Sequence, residues 1–192
     1  LQRQVLYTHE DIGKSKAEAA THRLSKLNPY VEIIPHQKRL TRENAPDALE
    51  GYSIVLDGTD SFGSRYLIND ACVLFDKILI YGAIHQFEGQ VSVFNLDGGP
   101  TYRCLFPDPP PAGTVPNCAE IGVVGVLPGI IGSMQALEAI KVITQTGDSL
   151  SGKLLLYDAL GNTTRTLPLS SSPKSREISE LPEGADSCAV PA

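Results

Sequence analysis

Apolar and polar positions along the first half of this chain follow helical and strand periods in turn. Residues 17–27 place several apolar side chains on one face of a helix that Asn28-Pro29 ends. Further helices are predicted around residues 43–49 and over 62–75, and apolar runs typical of buried strands lie at 31–34, 54–56 and 77–81. Strands and helices that alternate in this way favour a parallel sheet.

The pattern changes after Gly82, where alternating positions and tight turns favour antiparallel pairing. Residues 89–94 alternate, residues 97–100 form a turn, and residues 101–105 are predicted to return as a partner strand. The run at 106–113 is a loop, because each of its prolines fixes φ and removes a hydrogen-bond donor. The remaining predicted elements are a long helix over 126–146 and a final hairpin that pairs 153–157 with 163–167.

Together these elements predict an α/β fold whose mixed sheet is parallel in its first half and antiparallel in its second. Residues 1–169 contain all of the predicted helices and strands. Serine, proline, glutamate and lysine dominate from Ser170 onward, so we expect residues 170–192 to be a flexible tail or linker.

Composition and charge indicate a single globular domain. The 192 residues are 42% hydrophobic and 20% charged, and the net charge of −6 argues against a nucleic-acid surface. No apolar run is long enough to cross a membrane, and the start of the chain lacks a secretory signal, so we expect a cytoplasmic protein. The four cysteines are scattered without a C-x-x-C pair, which indicates neither a disulfide framework nor a zinc knuckle.

Candidate chemistry begins where the apolar run at 54–56 breaks into Asp57-Gly58-Thr59-Asp60. Ligands of open parallel sheets lie beyond the carboxyl ends of the strands, so an acid at this point can meet a nucleotide or its metal. The alternative is that Asp57 or Asp60 caps the helix that begins near Ser61. This stretch by itself leaves both interpretations open.

Six short motifs occur in a recognisable order along the chain. They are Leu1-Gln2-Arg3-Gln4, the stretch from Asp11 to Lys16, the turn from Asp57 to Asp60, Tyr81 to Ile84, Glu88-Gly89-Gln90, and Asn117 to Glu120. In this order they resemble the ThiF/MoeB/HesA family, the adenylating enzymes related to ubiquitin activators. Within that family the chain is most similar to the MoeB-like sulfur-carrier activators. The resemblance implies a Rossmann-like three-layer fold and an adenylation domain over residues 1–169.

The resemblance also implies an enzymatic reaction and its partners. Such adenylyltransferases bind ATP and Mg²⁺ and join the C-terminal Gly-Gly carboxylate of a small ubiquitin-like sulfur carrier of the MoaD/ThiS kind to AMP. These carriers serve molybdenum cofactor synthesis, thiamin synthesis or tRNA thiolation, and the enzymes are homodimers. The alternative is a noncatalytic scaffold that binds the carrier or dimerises but has lost the nucleotide cradle.

Several candidate nucleotide-binding residues follow from the motif match. Arg3 and Lys16 match the family's phosphate-contacting pair, and Gln2 precedes that arginine. Asp60 matches the magnesium-associated aspartate, since Mg²⁺ prefers hard oxygen ligands and keeps several waters. Ser61 stands where the family usually has asparagine. Without the resemblance, the basic residues would be interpreted as an exposed charged face.

Cys118 is the candidate nucleophile, and with Arg3 it completes the predicted catalytic residues. It matches a cysteine that, in some relatives, forms a thioester from the adenylate or takes part in sulfur transfer. Its loop setting favours exposure, which a nucleophilic thiol needs. The alternative is that Cys118 is simply a small apolar side chain, because neighbouring Glu120 has the wrong charge to lower its pKa.

Two departures from the family pattern affect these expectations. Members of the MoeB-like branch usually hold zinc with two C-x-x-C pairs. Thr101 stands in place of the first cysteine of the first pair, so Cys104 is alone there, and the tail supplies only Cys188. Because a closed zinc site needs four ligands, we expect no structural zinc. The chain also lacks a G-x-G-x-x-G motif, which relatives carry before the segment that matches Leu1-Gln2-Arg3. We therefore expect a portion of a longer protein that binds ATP poorly by itself.

Overall fold

The computed structural model describes residues 1–110 and 122–183, and the chain divides into a first unit, residues 1–39, and a second unit from Leu40 onward. The first unit contains a 3-10 helix over His9–Asp11 and helix α1 over Lys16–Leu27. The prediction of a strand at residues 31–34 is wrong, because no strand is present there. A strand needs a neighbour for its backbone N–H and C=O groups, and no described segment pairs with these residues.

The second unit contains nearly all of the regular structure. Its helices are α2 (Ala45–Leu49), α3 (Phe62–Leu74), α4 (Tyr102–Leu105) and α5 (Leu127–Thr144), and its strands are β1 (Ile54–Asp57), β2 (Ile78–His85), β3 (Glu88–Phe94), β4 (Lys153–Asp158) and β5 (Thr163–Pro168). Apart from α4, each of these elements was predicted within a few residues of its bounds. No helix in the described part of the chain is long and apolar enough to cross a membrane.

One five-stranded sheet organises the second unit, with its strands in the order β1-β2-β3-β4-β5. Strands β1 and β2 are parallel, with Asp57 opposite Tyr81, and every later pair is antiparallel. The predicted mixed sheet is therefore confirmed. The prediction of a strand at 101–105 is wrong, since this segment forms α4. Strand β2 pairs with β3 along one edge, and on the other edge β4 pairs with Glu88–Val91 while Ser151 forms a bridge to Val93, so β3 has no continuous free edge for this segment to join.

Helices cover both faces of this sheet, which confirms the three-layer arrangement. On one face, α3 and α4 bury a cluster made of Tyr66, Ile68, Cys72, Leu79, Tyr81, Phe94, Tyr102 and Leu154. On the other face, α5 buries two smaller clusters that contain Ile80, Val91, Val93, Leu127, Ile131 and Ala139. The aromatic side chains are concentrated on the α3 face, where the ring of Tyr102 packs against four others.

Two glycines let α5 lie close to the sheet. A Cβ atom on Gly82 of β2 would clash with the side chain of Gln135, and one on Gly89 of β3 would clash with that of Ile131. Glycine at these positions therefore removes the side chains that would hold the helix away.

Part of the predicted tail is ordered and packs against other parts of the second unit. Residues Pro173–Arg176 form a 3-10 helix, and Ser175 within it is buried. The Arg176 guanidinium donates to Asn95 Oδ1 at 2.8 Å and to the Gly99 carbonyl at 2.6 Å. The expectation of little fixed structure is thus wrong for these four residues, while the domain boundary at residue 169 stays a prediction.

Candidate functional site

A tight turn follows β1 at the carboxyl end of the parallel strands. Asp57, the last residue of β1, is only 1% exposed. Its Oδ1 accepts hydrogen bonds from the Thr59 amide at 2.8 Å and from the Thr59 hydroxyl at 2.7 Å. Asp57 therefore closes the turn by binding the backbone two residues ahead, a structural use of the carboxylate.

Ser61 caps α3, so the alternative that Asp57 or Asp60 caps this helix is wrong. The Ser61 hydroxyl accepts from the Ser64 amide at 3.2 Å and donates to the Ser64 hydroxyl at 2.8 Å. Asp60 is exposed, and its carboxylate has no hydrogen-bond or ion-pair partner among the described residues. A free carboxylate on an ordered turn fits Mg²⁺, which needs few protein ligands when phosphate oxygens and waters supply the others.

Arg65 lies one turn into α3 and reaches back to the turn after β1. It is 9% exposed, and its Nη2 donates to the Thr59 carbonyl at 3.3 Å. Its guanidinium also lies 5.7 Å from the ring centroid of Phe62 and 5.9 Å from that of Tyr81. These aromatic neighbours desolvate the charge and restrict its orientation.

The environment of Asp57 opposes its ionisation. Burial is the largest influence and raises the pKa of its carboxyl, while the two hydrogen bonds from Thr59 and the charge of Arg65 act in the opposite direction. The net upward shift means that the ionised form of Asp57 destabilises the folded protein relative to the neutral form.

Two buried polar atoms beside this turn have no hydrogen-bond partner in the described structure, Arg65 Nε and the Tyr102 hydroxyl. Burial raises the pKa of Tyr102, and the nearby charge of Arg65 opposes that rise, although the two groups do not meet hydrogen-bond geometry. An unsatisfied buried group costs about 1–3 kcal/mol, so this arrangement is not optimised for stability alone.

Gln135 of α5 holds the same strand end from the opposite face of the sheet. Its Nε2 donates to the Asp57 carbonyl at 2.8 Å and to the Ile80 carbonyl at 3.2 Å. The side chain lies over Gly82, where any larger residue would displace it. The end of β1 is thus joined to Ile80 within β2 through a buried amide.

The remaining predicted nucleotide-binding residues lie in the first unit. Gln2, Arg3 and Lys16 are all exposed, and Lys16 is the first residue of α1. Neither Arg3 nor Lys16 has an ion-pair partner among the described residues. This unit holds seven of the 16 basic residues but four of the 22 acidic ones. Its charge is therefore positive in a chain that is acidic overall, which suits an anionic ligand.

The cysteines differ in environment. Cys118, with the rest of the motif from Asn117 to Glu120, lies outside the described residues, as does Cys188. Cys72 is completely buried in α3, and burial raises its pKa to about 12, so it is a core residue as the helix pattern predicts.

Cys104 joins α4 to the ordered part of the tail. Its Sγ accepts from the Thr101 and Ser172 amides, each at 3.3 Å, and donates to the Ser175 hydroxyl at 3.1 Å. Burial raises the pKa of Cys104, but the hydrogen bonds from Ser175, Thr101 and Ser172 outweigh it and lower the pKa overall. No group of three or more His, Cys, Asp or Glu side chains that could hold a metal occurs in the described part of the chain. The absence of zinc stays a prediction.

Arg65, Gln135 and Tyr102 are not among the residues that the sequence motifs indicate. Arg65 carried a usable signal, because it follows Phe62 by three residues and so puts a charge on the core-facing side of α3. Gln135 is a polar residue in an otherwise apolar stretch of α5, a weaker signal. Tyr102 lies in the segment that was predicted as a strand, which hid its place in the aromatic cluster.

The sequence of this chain is similar to a protein family and to individual proteins of that family. The model of the ThiF family matches residues 1–178. A sulfur carrier protein adenylyltransferase from Thermus thermophilus is 54% identical over 179 residues, covering 91% of this chain and 66% of that protein. The adenylyltransferase and sulfurtransferase MOCS3 from Aedes aegypti is 50% identical, covering 88% of this chain and 39% of that protein. The chain thus spans between 39% and 66% of the length of these relatives.

Solved structures extend the likeness to the fold. The crystal structure of MccB from E. coli superimposes with a TM-score of 0.74 at 17% sequence identity, covering 90% of this chain and 52% of that one. At this identity the match concerns the arrangement of helices and strands.

Proposed function

The chain belongs to the ThiF family, and from that premise we propose that the full-length protein is an adenylyltransferase for a ubiquitin-like sulfur carrier. An oxygen of the carrier's C-terminal Gly-Gly carboxylate forms a bond to the α-phosphorus of ATP, and the bond to pyrophosphate breaks. The observation that carries this proposal is the 54% identity to the sulfur carrier protein adenylyltransferase of Thermus thermophilus over 91% of the chain.

The reaction brings two anions together, so cations must offset their repulsion. We assign this role to Arg3 and Lys16, with Gln2 as a neighbouring nucleotide contact. Arginine offers a planar pair of donors to phosphate oxygens, while lysine offers a compact charge at the start of α1. Their exposure and the positive charge of the first unit support the assignment.

Asp60 is proposed as the magnesium ligand, and Ser61 as a further nucleotide contact. The carboxylate of Asp60 is exposed on a hydrogen-bonded turn and has no partner among the residues that the structure describes, which supports this role. When bound, Mg²⁺ would offset negative charge on the phosphates. Ser61 already donates its hydroxyl proton to Ser64, so its contact with a ligand would replace or share that hydrogen bond.

Cys118 is proposed to act after adenylylation. Its thiolate would attack the acyl carbon of the adenylate, a thioester would form and AMP would leave. This step transfers the acyl group of the carrier and no sulfur atom; the Aedes aegypti relative, an adenylyltransferase and sulfurtransferase, supports the proposal that a separate sulfur transfer follows adenylylation. The carrier belongs to molybdenum cofactor synthesis, thiamin synthesis or tRNA thiolation, and the enzyme acts as a homodimer.

ATP–pyrophosphate exchange with a Gly-Gly carrier tests the first step in the full-length protein. We expect Asp60→Ala and Arg3→Ala each to reduce exchange about 100-fold, the usual effect of removing one group that stabilises transition-state charge. Asp148→Ala is the matched control, because Asp148 is also exposed but lies in the connection between α5 and β4. Cys118→Ala should leave exchange intact and abolish only the later thioester.

Two outcomes of this experiment would contradict the proposal. A folded full-length protein that binds the carrier without catalysing exchange would favour the noncatalytic scaffold over the adenylyltransferase. Equal exchange by Asp60→Ala and Asp148→Ala would reject the role of Asp60 while leaving the reaction itself in place.

A further inference from the structure

We propose that Arg65 is a positioning residue, which fixes the turn after β1 and thereby orients the Asp60 carboxylate. The significance of Asp60 rests on the proposed function, but the hold of Arg65 on the turn does not. The inference depends on how Thr59 is held between its two acidic neighbours.

Both backbone groups of Thr59 have a side-chain partner. Its amide donates to Asp57 Oδ1 at 2.8 Å, and its carbonyl accepts from Arg65 Nη2 at 3.3 Å. That carbonyl belongs to the planar peptide group that joins Thr59 to Asp60. A donor fixed on the Thr59 carbonyl therefore fixes the plane from which the Asp60 side chain projects.

Arg65 differs from the other enclosed arginine on this face of the sheet. Arg103 forms two hydrogen bonds with the buried carboxylate of Asp70, at 2.8 and 2.7 Å, and a third with the Pro107 carbonyl. Arg65 has no carboxylate within ion-pair distance among the described residues, and its Nε is unsatisfied. Its one hydrogen bond in the described structure is to the Thr59 carbonyl, so the guanidinium of Arg65 stabilises the turn and not a carboxylate.

The chemistry of guanidinium makes lysine a poor replacement here. Arg65 lies near the rings of Phe62 and Tyr81 while one Nη reaches the Thr59 carbonyl. A planar, delocalised cation can do both, whereas a lysine ammonium is a compact charge that needs more water. Arg65→Lys should therefore keep the charge and lose the fixed contact.

Amide hydrogen exchange in the full-length protein tests the inference without relying on catalysis. We expect Arg65→Lys to speed exchange of the Thr59 amide about tenfold relative to the Tyr102 amide. Once the Thr59 carbonyl is released the turn opens more often, and each opening also breaks the hydrogen bond from the Thr59 amide to Asp57 Oδ1. The Tyr102 amide donates to buried Asn69 Oδ1, so it reports general loosening of the same region. In parallel, the Mg²⁺ concentration for half-maximal pyrophosphate exchange should rise several-fold.

Arg103→Lys is the matched control, since it disturbs a similar side chain but leaves the turn untouched. It should change the Thr59 amide no more than the Tyr102 amide. The inference is overturned if Arg65→Lys leaves the relative exchange of Thr59 unchanged, or if Arg103→Lys raises it equally. Should Arg65→Lys fail to fold, Arg65→Gln undergoes the same comparison. Faster Thr59 exchange together with full activity of Asp60→Ala would retain the positioning role and reject only the function of Asp60.

Discussion

Asp57 and Asp60 are three residues apart, yet the structure gives them opposite roles. Asp57 is buried and uses its carboxylate to close a turn, whereas Asp60 is exposed and unpartnered among the described residues. The difference comes from their neighbours. Thr59 donates two hydrogen bonds to the buried first acid, and Ser61 takes the capping role that the second could have filled.

The burial of Asp57 predicts a pH-dependent effect of Asp57→Asn on stability. Because the folded-state pKa is raised above 3.8, the stabilising contribution of the neutral form is present below about pH 4 and is lost as the pH rises through the folded pKa. Asparagine is permanently neutral and keeps an oxygen that can accept from Thr59. The free energy of unfolding of Asp57→Asn relative to the wild type should therefore increase from pH 4 to pH 7, as measured by urea denaturation.

Asp148→Asn provides the baseline for this series, because it makes the same chemical change at an exposed position outside the turn. A difference for Asp57→Asn that falls with rising pH would mean that the hydrogen bonds from Thr59 and the charge of Arg65 outweigh burial.

At the scale of elements, the packing of α5 on β2 and β3 determines the shape of the sheet's carboxyl end. Glycines at positions 82 and 89 allow Gln135 and Ile131 to fill the space directly above the strands. The helix pattern of residues 126–146 predicts α5 but not its distance from the sheet. That distance depends on the two glycines, which lie more than 40 residues earlier in the chain.

Gly89→Ala should destabilise the protein by about 1–3 kcal/mol, since its methyl group would overlap Ile131 in a filled core. Gly129→Ala is the matched control within α5, because no described atom beyond its own stretch of helix lies within 4 Å of the added Cβ. It should be neutral or stabilise by up to about 1 kcal/mol, because alanine favours helix more than glycine does. Thermal and urea unfolding measure both effects.

Combining Gly89→Ala with Ile131→Val should recover part of the lost stability, because the shorter side chain leaves room for the methyl group. Strict additivity of the two changes would contradict the direct contact between these positions.

At the scale of the whole molecule, stability is unevenly distributed between the two units. The second unit contains every buried residue of the described chain, whereas none of residues 1–39 is fully buried. Helix α1 is thus expected to derive little stability from tertiary packing in this chain, and short helices are marginal without it.

Hydrogen exchange of the 192-residue chain should therefore separate α1 from the core helices. We expect the backbone amides of α1 to exchange at least about 100-fold faster than those of α3, which has eight buried residues. Mass spectrometry of peptides from both helices in one sample makes the comparison internal. Equal protection of α1 and α3 would show that the first unit is as stable as the second.

Local pattern accounts for most of the elements of this protein. Hydrophobic periodicity, prolines and turn residues predicted α1, α2, α3, α5 and all five strands of the sheet, because these signals act within a few neighbouring residues. Residues 31–34 have the apolar character of a strand but do not form one. That character is local, whereas a strand also needs a neighbouring strand for its backbone hydrogen bonds. The motifs likewise indicated the family without any knowledge of packing.

Tertiary structure decided what each element meets. Residues 102–105 form a helix beside a strand that already has β2 and β4 as neighbours, and buried Ser175 contacts Cys104, 71 positions earlier. Gln135 reaches the Asp57 carbonyl across 78 positions, a contact that no local pattern encodes. The sequence by itself therefore determined most of the elements, the family and the candidate acid Asp60. The contacts of Arg65 and Gln135 that hold the turn carrying Asp60 exist only in the tertiary structure, because they join residues that are not neighbours in the sequence.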